Sequence, residues 1–436
     1  MKIAVSRALG PVLSTFLALL AAGCGGNPPR GIEMMPAPAV YGSGGGEALG
    51  HLSGPEPLDM LYVTNRAPVT ERGQHGERHY SGERGYLLRA GSADIAFGDT
   101  DVTWDEARKI SLLKNRPGSF PLEVKGINET GILRNSVSLF TPEDIAATVD
   151  DTPTRAFLEA IEQRLARSSM KDIFIYVHGY KVIFENPLLV SSELWHFLGY
   201  EGAVVAFSWP STPATFAYMK DIETARVSAW GLRQLLELLA RETSARRIHI
   251  VGYSAGTRVV LTALHEMALQ HQCDRPEAIS DTTRLGNVIL VGSDVDTGLV
   301  ASYMLDGLLY TQDRLTFYTS PGDQALKLSK RLFSHRRFGQ VVPGSLDERM
   351  RQFAHASSRL LLVDVEDADH FDDGNGHAYF RKSPWVSSDI LMTLRFDLAP
   401  GTRGLEQRDT SPFWRFPADY HQRFETALDA ARMARQ

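Results

Sequence analysis

Ser254 lies at the centre of Gly252-Tyr253-Ser254-Ala255-Gly256, preceded by the β-branched run Ile248-His249-Ile250-Val251 and followed by Thr257 to His265 with helical apolar spacing. Chemistry explains this spacing. A serine at a sharp strand-to-helix turn is held in strained backbone, and residues two before and two after must be small. Gly252 and Gly256 meet that need. The turn would lift the hydroxyl above the sheet edge at the positive end of a helix, a place for a nucleophile. The pattern therefore predicts a serine hydrolase.

A serine nucleophile needs a base, an acid that orients the base, and donors for an oxyanion. On a strand-helix scaffold of this kind the chain order is Ser, then Asp or Glu, then His. Asp323, in the loop Thr319-Ser320-Pro321-Gly322-Asp323 after the strand candidate Leu315 to Tyr318, is the preferred acid. Asp294 and Asp296 are its rivals, and Asp323 also has the place of an N-cap for Gln324 to Leu328. Two histidines follow the last strand candidate, His370 in an acidic run and His377 between Gly374-Asn375-Gly376 and Ala378-Tyr379-Phe380. The glycine approach and aromatic anchor favour His377 as the base. The oxyanion donors are expected to be the Ala255 N–H, next to the nucleophile, and the Tyr180 N–H in Val177-His178-Gly179-Tyr180-Lys181, with Gly179 letting the backbone turn. His178 precedes the nucleophile and reads as structural. The acidic run Asp364 to Asp373 fails the calcium-loop template, because Phe371 and Phe380 stand where ligands are needed. The chemistry calls for no cofactor and no metal.

The elements that must position these residues are short apolar runs, among them 173–177, 203–207, 248–251, 288–291, 315–318 and 360–363, with Met60 to Thr64 and one or two glycine-broken strands over 84–101 before them. Runs of this length belong to a sheet covered on both faces. Helical segments lie between, at 155–165 and through Leu232, Leu235, Leu236 and Leu239. Alternation of this sort predicts an α/β fold, with a mostly parallel central sheet and helices on both faces.

The chain has 436 residues, 43% hydrophobic and 22% charged, ordinary for a globular protein. A formal net charge of −6 without a long basic stripe gives no case for nucleic acid. The short basic stretch Lys327, Lys330, Arg331, Arg336 and Arg337 is either a solvated helix face or a contact for anionic lipid or substrate. Ser208-Trp209-Pro210-Ser211 either lines an acyl pocket or packs in the core. The segments 184–200 and 327–346 are candidate lids. Of the 2 cysteines, Cys273 is expected to be buried or inert. Cys24 closes Leu20-Ala21-Ala22-Gly23-Cys24 after a charged start and a short apolar stretch, which resembles a bacterial lipobox, with Ala21 where leucine is preferred. The expected organisation is a lipoprotein signal with its lipidation site at residues 1–24, a flexible Gly/Pro/Ala-rich tether at 25–57, a hydrolase domain at 58–400 and a C-terminal extension at 401–436. Localisation would be the cell envelope, with a membrane partner through the anchor on Cys24.

The segments Tyr62-Val63-Thr64-Asn65-Arg66-Ala67-Pro68, His178-Gly179-Tyr180, Phe207-Ser208-Trp209-Pro210, Gly252 to Gly256, Asp294-Val295-Asp296, Asp323-Gln324-Ala325-Leu326 and Gly376-His377-Ala378-Tyr379-Phe380 resemble a bacterial α/β-hydrolase family of unknown function in the esterase and lipase superfamily. The resemblance runs over roughly residues 60–395. It implies the α/β-hydrolase fold, with Ser254, Asp323 and His377 as its nucleophile, acid and base. Lys181, Tyr253 and Ala378 depart from the family's usual asparagine, histidine and serine. The expected activity is hydrolysis of a small-molecule acyl ester. A non-catalytic envelope scaffold and an amide or peptide hydrolase are the alternatives.

Overall fold

A computed structural model describes residues 31–42, 58–69, 78–97, 103–113, 116, 118–214, 217–368, 375–407 and 411–433. Cys24 and His370 lie outside them, as do the signal segment and most of the expected tether.

Among the described residues twelve strands form one sheet: β1 (Ile32–Glu33), β2 (Leu58–Pro68), β3 (Tyr80–Phe97), β4 (Pro121–Ile132), β5 (Asp172–Val177), β6 (Ala203–Ser208), β7 (Arg247–Tyr253), β8 (Leu285–Val291), β9 (Gln312–Thr319), β10 (Leu360–Asp364), β11 (Glu406–Gln407) and β12 (Phe413–Arg415). Their order is β1-β4-β3-β2-β6-β5-β7-β8-β9-β10-β12-β11. From β2 through β12 every neighbouring pair is parallel. The β1, β4, β3 and β2 edge is antiparallel, as is β11 on β12.

Period-two alternation divides the core. Ile173, Ile175 and Val177 of β5 pack in one apolar layer with Leu232, Leu236, Val260 and Leu264 from the helices Tyr218–Glu242 and Gly256–Gln270. Phe174 and Tyr176, pointing the other way, join Leu188, Trp195, Ile390 and Leu391 from the helices Glu185–Phe197 and Pro384–Phe396. With both faces covered, the strands have no polar side, which is why they read as unbroken apolar runs.

The ends of the domain differ from expectation. Residues 31–42, placed in the tether by their composition, add β1 to the edge of β4 and bury Val40 and Tyr41, whose hydroxyl donates to Phe197 O at 2.5 Å. The extension from 401 is also part of the domain, since β12 pairs with β10 and Arg403, fully buried, meets Asp389 at 2.7 Å. The segment 184–200 is no lid: its helix buries Leu188, Leu189, Trp195 and Phe197 against the sheet. Cys273, expected to be buried or inert, is exposed. Among the described residues no helix is long and apolar enough to cross a membrane.

Candidate active site

β7 ends at Tyr253, and the helix Gly256–Gln270 starts three residues later. Between them Ser254 has φ of 52°, the left-handed region that a side chain adopts only under constraint. The constraints are visible. Ser254 N–H donates to Val291 O on β8 at 2.9 Å, and Ser254 O accepts from the Thr257 hydroxyl at 2.6 Å. Gly256 must be glycine because an added Cβ would lie 2.2 Å from His178 O and 2.5 Å from Val177 O. The start of the helix therefore rests directly on the end of β5.

His377 Nε2 lies 2.8 Å from Ser254 Oγ, and its Nδ1 lies 2.5 Å from Asp323 Oδ2. Sequence separations of 123 and 54 residues are closed by these two contacts. Asp323 is fully buried, and its second oxygen, Oδ1, caps the helix Gln324–Phe333 by accepting from Leu326 N–H at 2.9 Å. One carboxylate thus fixes the imidazole and a helix start together.

The histidine loop is held from several sides. His377 N–H donates to Asn375 Oδ1 at 3.1 Å, and Gln324 N–H donates to Asn375 O at 2.9 Å. Tyr379, next but one along the chain, accepts from Gly292 N–H at 2.7 Å and donates to Tyr318 O at 2.9 Å. Its hydroxyl thereby bolts the loop to the ends of β8 and β9. Gly292, with φ of 57°, lies under the imidazole, and an added Cβ would come within 3.0 Å of His377 Cε1. Tyr379 belongs to the aromatic anchor expected after His377, whereas Gly292 carries no such signal in the sequence, because it acts through a contact between distant loops.

The loop 178–182 borders Ser254, and an added Cβ on Gly179 would meet Ser254 Cβ at 3.0 Å. Arg66, fully buried at the end of β2, donates to Val182 O at 2.9 Å, Ser211 O at 3.2 Å and Ser208 Oγ at 3.0 Å, so it clamps this loop from beneath. His178 is buried and stacks on Trp209 at 5.2 Å, and Trp209 Nε1 donates to His178 O at 2.7 Å. Burial, reinforced by the Arg66 guanidinium, pushes the His178 imidazole well below the usual range and keeps it neutral. Trp209 is therefore packing, not a pocket wall. Ala255 is the N-cap of the following helix, so its N–H is one that helix geometry leaves without an intrahelical acceptor.

Asp294, the rival acid, faces the same cavity and has a different role. Its carboxylate accepts from the Tyr218 hydroxyl, from Ser329 Oγ at 2.6 Å and from Arg258 Nε at 3.2 Å. Burial alone would lower Arg258, but Asp294 and Tyr218 together raise the guanidinium above its ordinary value. Asp296 caps the helix Thr297–Leu305 and is also not at the imidazole.

A cavity of about 550 Å³ opens over Ser254 and His377. Its apolar wall comes from Tyr180, Met219, Leu326, Leu328 and Leu332. The last three lie on the helix Gln324–Phe333, and Leu328 and Leu332 fall within the candidate lid 327–346. Of the basic stretch, Lys330, Arg331 and Arg336 face solvent, whereas Arg337 is buried with its guanidinium 4.4 Å from the Phe333 ring.

A mostly parallel sheet flanked by helices, with a strained serine at a strand-to-helix turn, defines an α/β-hydrolase. The chain belongs to the family described as "Alpha/beta hydrolase of unknown function (DUF900)", whose model matches residues 154–395, more than half of its length. That match begins later than residue 60, where the motif resemblance starts. Comparison with curated proteins and with solved structures gave no match.

Proposed function

We propose that the protein is a carboxylic ester hydrolase working through an acyl-enzyme on Ser254. The hydrogen-bonded line from Ser254 Oγ through His377 to Asp323 carries this reading. In it, His377 Nε2 takes the hydroxyl proton as Oγ attacks the acyl carbonyl, and Asp323 stabilises the imidazolium and holds its tautomer. The N–H groups of Ala255 and Tyr180 receive the oxyanion. Collapse breaks the ester C–O bond, and the imidazolium returns its proton to the leaving alcohol. Water, deprotonated by His377, then hydrolyses the acyl-enzyme and restores Ser254. The apolar wall beside the nucleophile suits an acyl chain.

A fluorophosphonate probe tests this: wild-type protein should be labelled and cleave p-nitrophenyl acyl esters, and Ser254→Ala should do neither. Equal labelling of both proteins, or esterase activity surviving in Ser254→Ala, would refute it.

We propose also that Cys24 carries a lipid anchor holding the enzyme at the cell envelope. Residues 25–31 separate Cys24 from β1 and reach at most about 25 Å when fully extended, so such an anchor would keep the domain close to the bilayer. Cys24→Ser should move the protein from the membrane fraction to the soluble one. Unchanged fractionation would sink the proposal.

A further inference from the structure

The cavity over Ser254 has one cationic lining side chain among the described residues, Lys181. Its backbone has φ of 61°, a left-handed conformation in which lysine is disfavoured and Gly, Asn or Asp would be at ease. Strain of this sort persists where the surroundings enforce it, and it gathers at functional sites. The surroundings here are the loop clamped by Arg66, which fixes the residue next to Lys181 through Val182 O at 2.9 Å. Lys181 stands two residues beyond Gly179, whose added Cβ would touch Ser254 Cβ at 3.0 Å. Its Cα therefore lies within about 7.6 Å of the Gly179 Cα, and the ammonium ranges over the rim of the reacting centre.

That ammonium has no carboxylate partner among the described residues. Asp294, the anion lining the same cavity, is engaged by Tyr218, Ser329 and Arg258 and has Arg337 Nε 3.7 Å away. Asp323 is engaged by His377. A lone cation facing an apolar wall fits an amphipathic ligand. The wall of Leu326, Leu328 and Leu332 takes hydrocarbon. With the acyl chain as the hydrocarbon on that wall, the negative group belongs to the alcohol part.

Resting on the ester-hydrolase reading of Ser254, we infer that Lys181 determines specificity, selecting acyl esters whose alcohol carries an anionic group, as a glycerol phosphate does. Lys181 Nζ donates to that anion when the carbonyl lies over Ser254. It takes no part in the bond changes.

The test compares 1-lauroylglycerol with 1-lauroylglycerol 3-phosphate, presented to the full-length protein in the same mixed micelles, with released laurate measured. The ratio of kcat/KM, phosphate over neutral, should be roughly 10 to 100 in wild type, the range for a hydrogen bond to a charged group. It should collapse toward unity in Lys181→Asn, which keeps the left-handed backbone, recover in Lys181→Arg, and decline with ionic strength in wild type. A wild-type ratio at or below unity, or one unmoved in Lys181→Asn, overturns the inference. Fluorophosphonate labelling of each variant separates the two layers. Labelled protein that cleaves 1-lauroylglycerol without anion preference refutes the role of Lys181 alone. Protein that neither labels nor cleaves refutes the ester-hydrolase reading, and the Lys181 role with it.

Discussion

Gly256→Ala should disable the enzyme while leaving it folded. The added Cβ would lie 2.2 Å from His178 O, 2.5 Å from Val177 O and 2.9 Å from His178 C, all backbone atoms that no rotamer change can move aside. Restoring even a tight 3.0 Å contact with His178 O requires a displacement of 0.8 Å (3.0 minus 2.2) between the helix start and the loop 178–182. The proposed oxyanion donors lie on opposite sides of that seam, Ala255 on the helix and Tyr180 on the loop. An N–H···O bond near 2.9 Å stretched by most of an ångström is no longer a hydrogen bond. Loss of one such donor costs about 10²- to 10³-fold in kcat, and a misplacement of about 1 Å alone costs about 10²-fold. Gly252→Ala is the control from the same pentapeptide. Its Cβ would press on Leu290 Cδ2 at 3.0 Å and Val260 Cγ2 at 3.1 Å, the ends of side chains that can yield, and would sit at an ordinary 3.7 Å from Thr257 Cα. Measured on p-nitrophenyl esters, kcat should drop about 10²-fold or more in Gly256→Ala and less than about tenfold in Gly252→Ala. Thermal unfolding of both variants should remain cooperative. A folded Gly256→Ala protein with wild-type kcat would show that the helix–loop seam does not hold the oxyanion, and the mechanism would have to be rebuilt.

Asp323→Asn keeps an acceptor for Leu326 N–H but leaves the imidazolium without a counter-charge, so kcat should drop by about 10⁴-fold with little change in melting temperature, whereas Asp323→Ala should also cost the helix about 1 kcal/mol through its lost cap. Asp221, buried at the start of the helix Tyr218–Glu242, has its carboxyl pushed up to about 6 by burial, against an ordinary 3.8. A raised acid binds protons more readily folded than unfolded, so this group lowers stability as pH rises from about 4 to about 6, by on the order of 2–3 kcal/mol. Asp221→Asn should remove that slope, which chemical denaturation at pH 4, 5 and 6 would detect, and an unchanged difference across those pH values would contradict it. Deleting residues 401–436 should abolish folding, because Asp389 would be left buried without Arg403 at 2.7 Å and β10 without β12. Arg403→Met alone should cost about 3–5 kcal/mol by calorimetry, and a truncated chain that melts like wild type would restore the idea of a dispensable extension.

Strands β5 to β10 were legible because each is apolar on both sides and bounded by turns. Of the antiparallel edge, β2 and part of β3 were legible and β1 and β4 were not. β4 is half exposed, carries Lys125, Asn128 and Glu129, and includes Gly126 and Gly131, so its sequence has the look of a loop. In β3 the glycines read as breaks, yet the strand runs unbroken from Tyr80 to Phe97. They mark close approach instead: an added Cβ on Gly91 would lie 2.4 Å from Asn128 O, and one on Gly85 would lie 2.6 Å from Arg66 O. Single-sequence periodicity cannot distinguish a glycine that ends a strand from one that admits a neighbouring backbone. The packed residues 31–42 escaped for another reason, since a two-residue strand and one helical turn carry no period at all.

The same distinction governs the site. Ser254, Asp323 and His377 could be picked out because each stands in the connection that follows a strand, where chain order narrows the choice. Strand order prefers Asp323 but leaves Asp294, after the preceding strand at the same sheet edge, as a rival, and both are buried. Electrostatics decides between them. Asp294 lies against Arg258 and near Arg337, with Tyr218 and Ser329 donating to it, so its carboxylate could reach an imidazole only by abandoning a buried guanidinium. Leaving such a charge uncompensated costs about 3–5 kcal/mol, more than one imidazole contact would return. Among the described residues Asp323 has no guanidinium to abandon. Its oxygens are divided between a helix N–H and His377 Nδ1, and the helix N-terminus favours its negative charge. Asp294 is thereby committed to joining the helices at Tyr218, Arg258 and Ser329 around the cavity, and the carboxylate beside His377 is left to meet a charge that forms only when the histidine takes a proton.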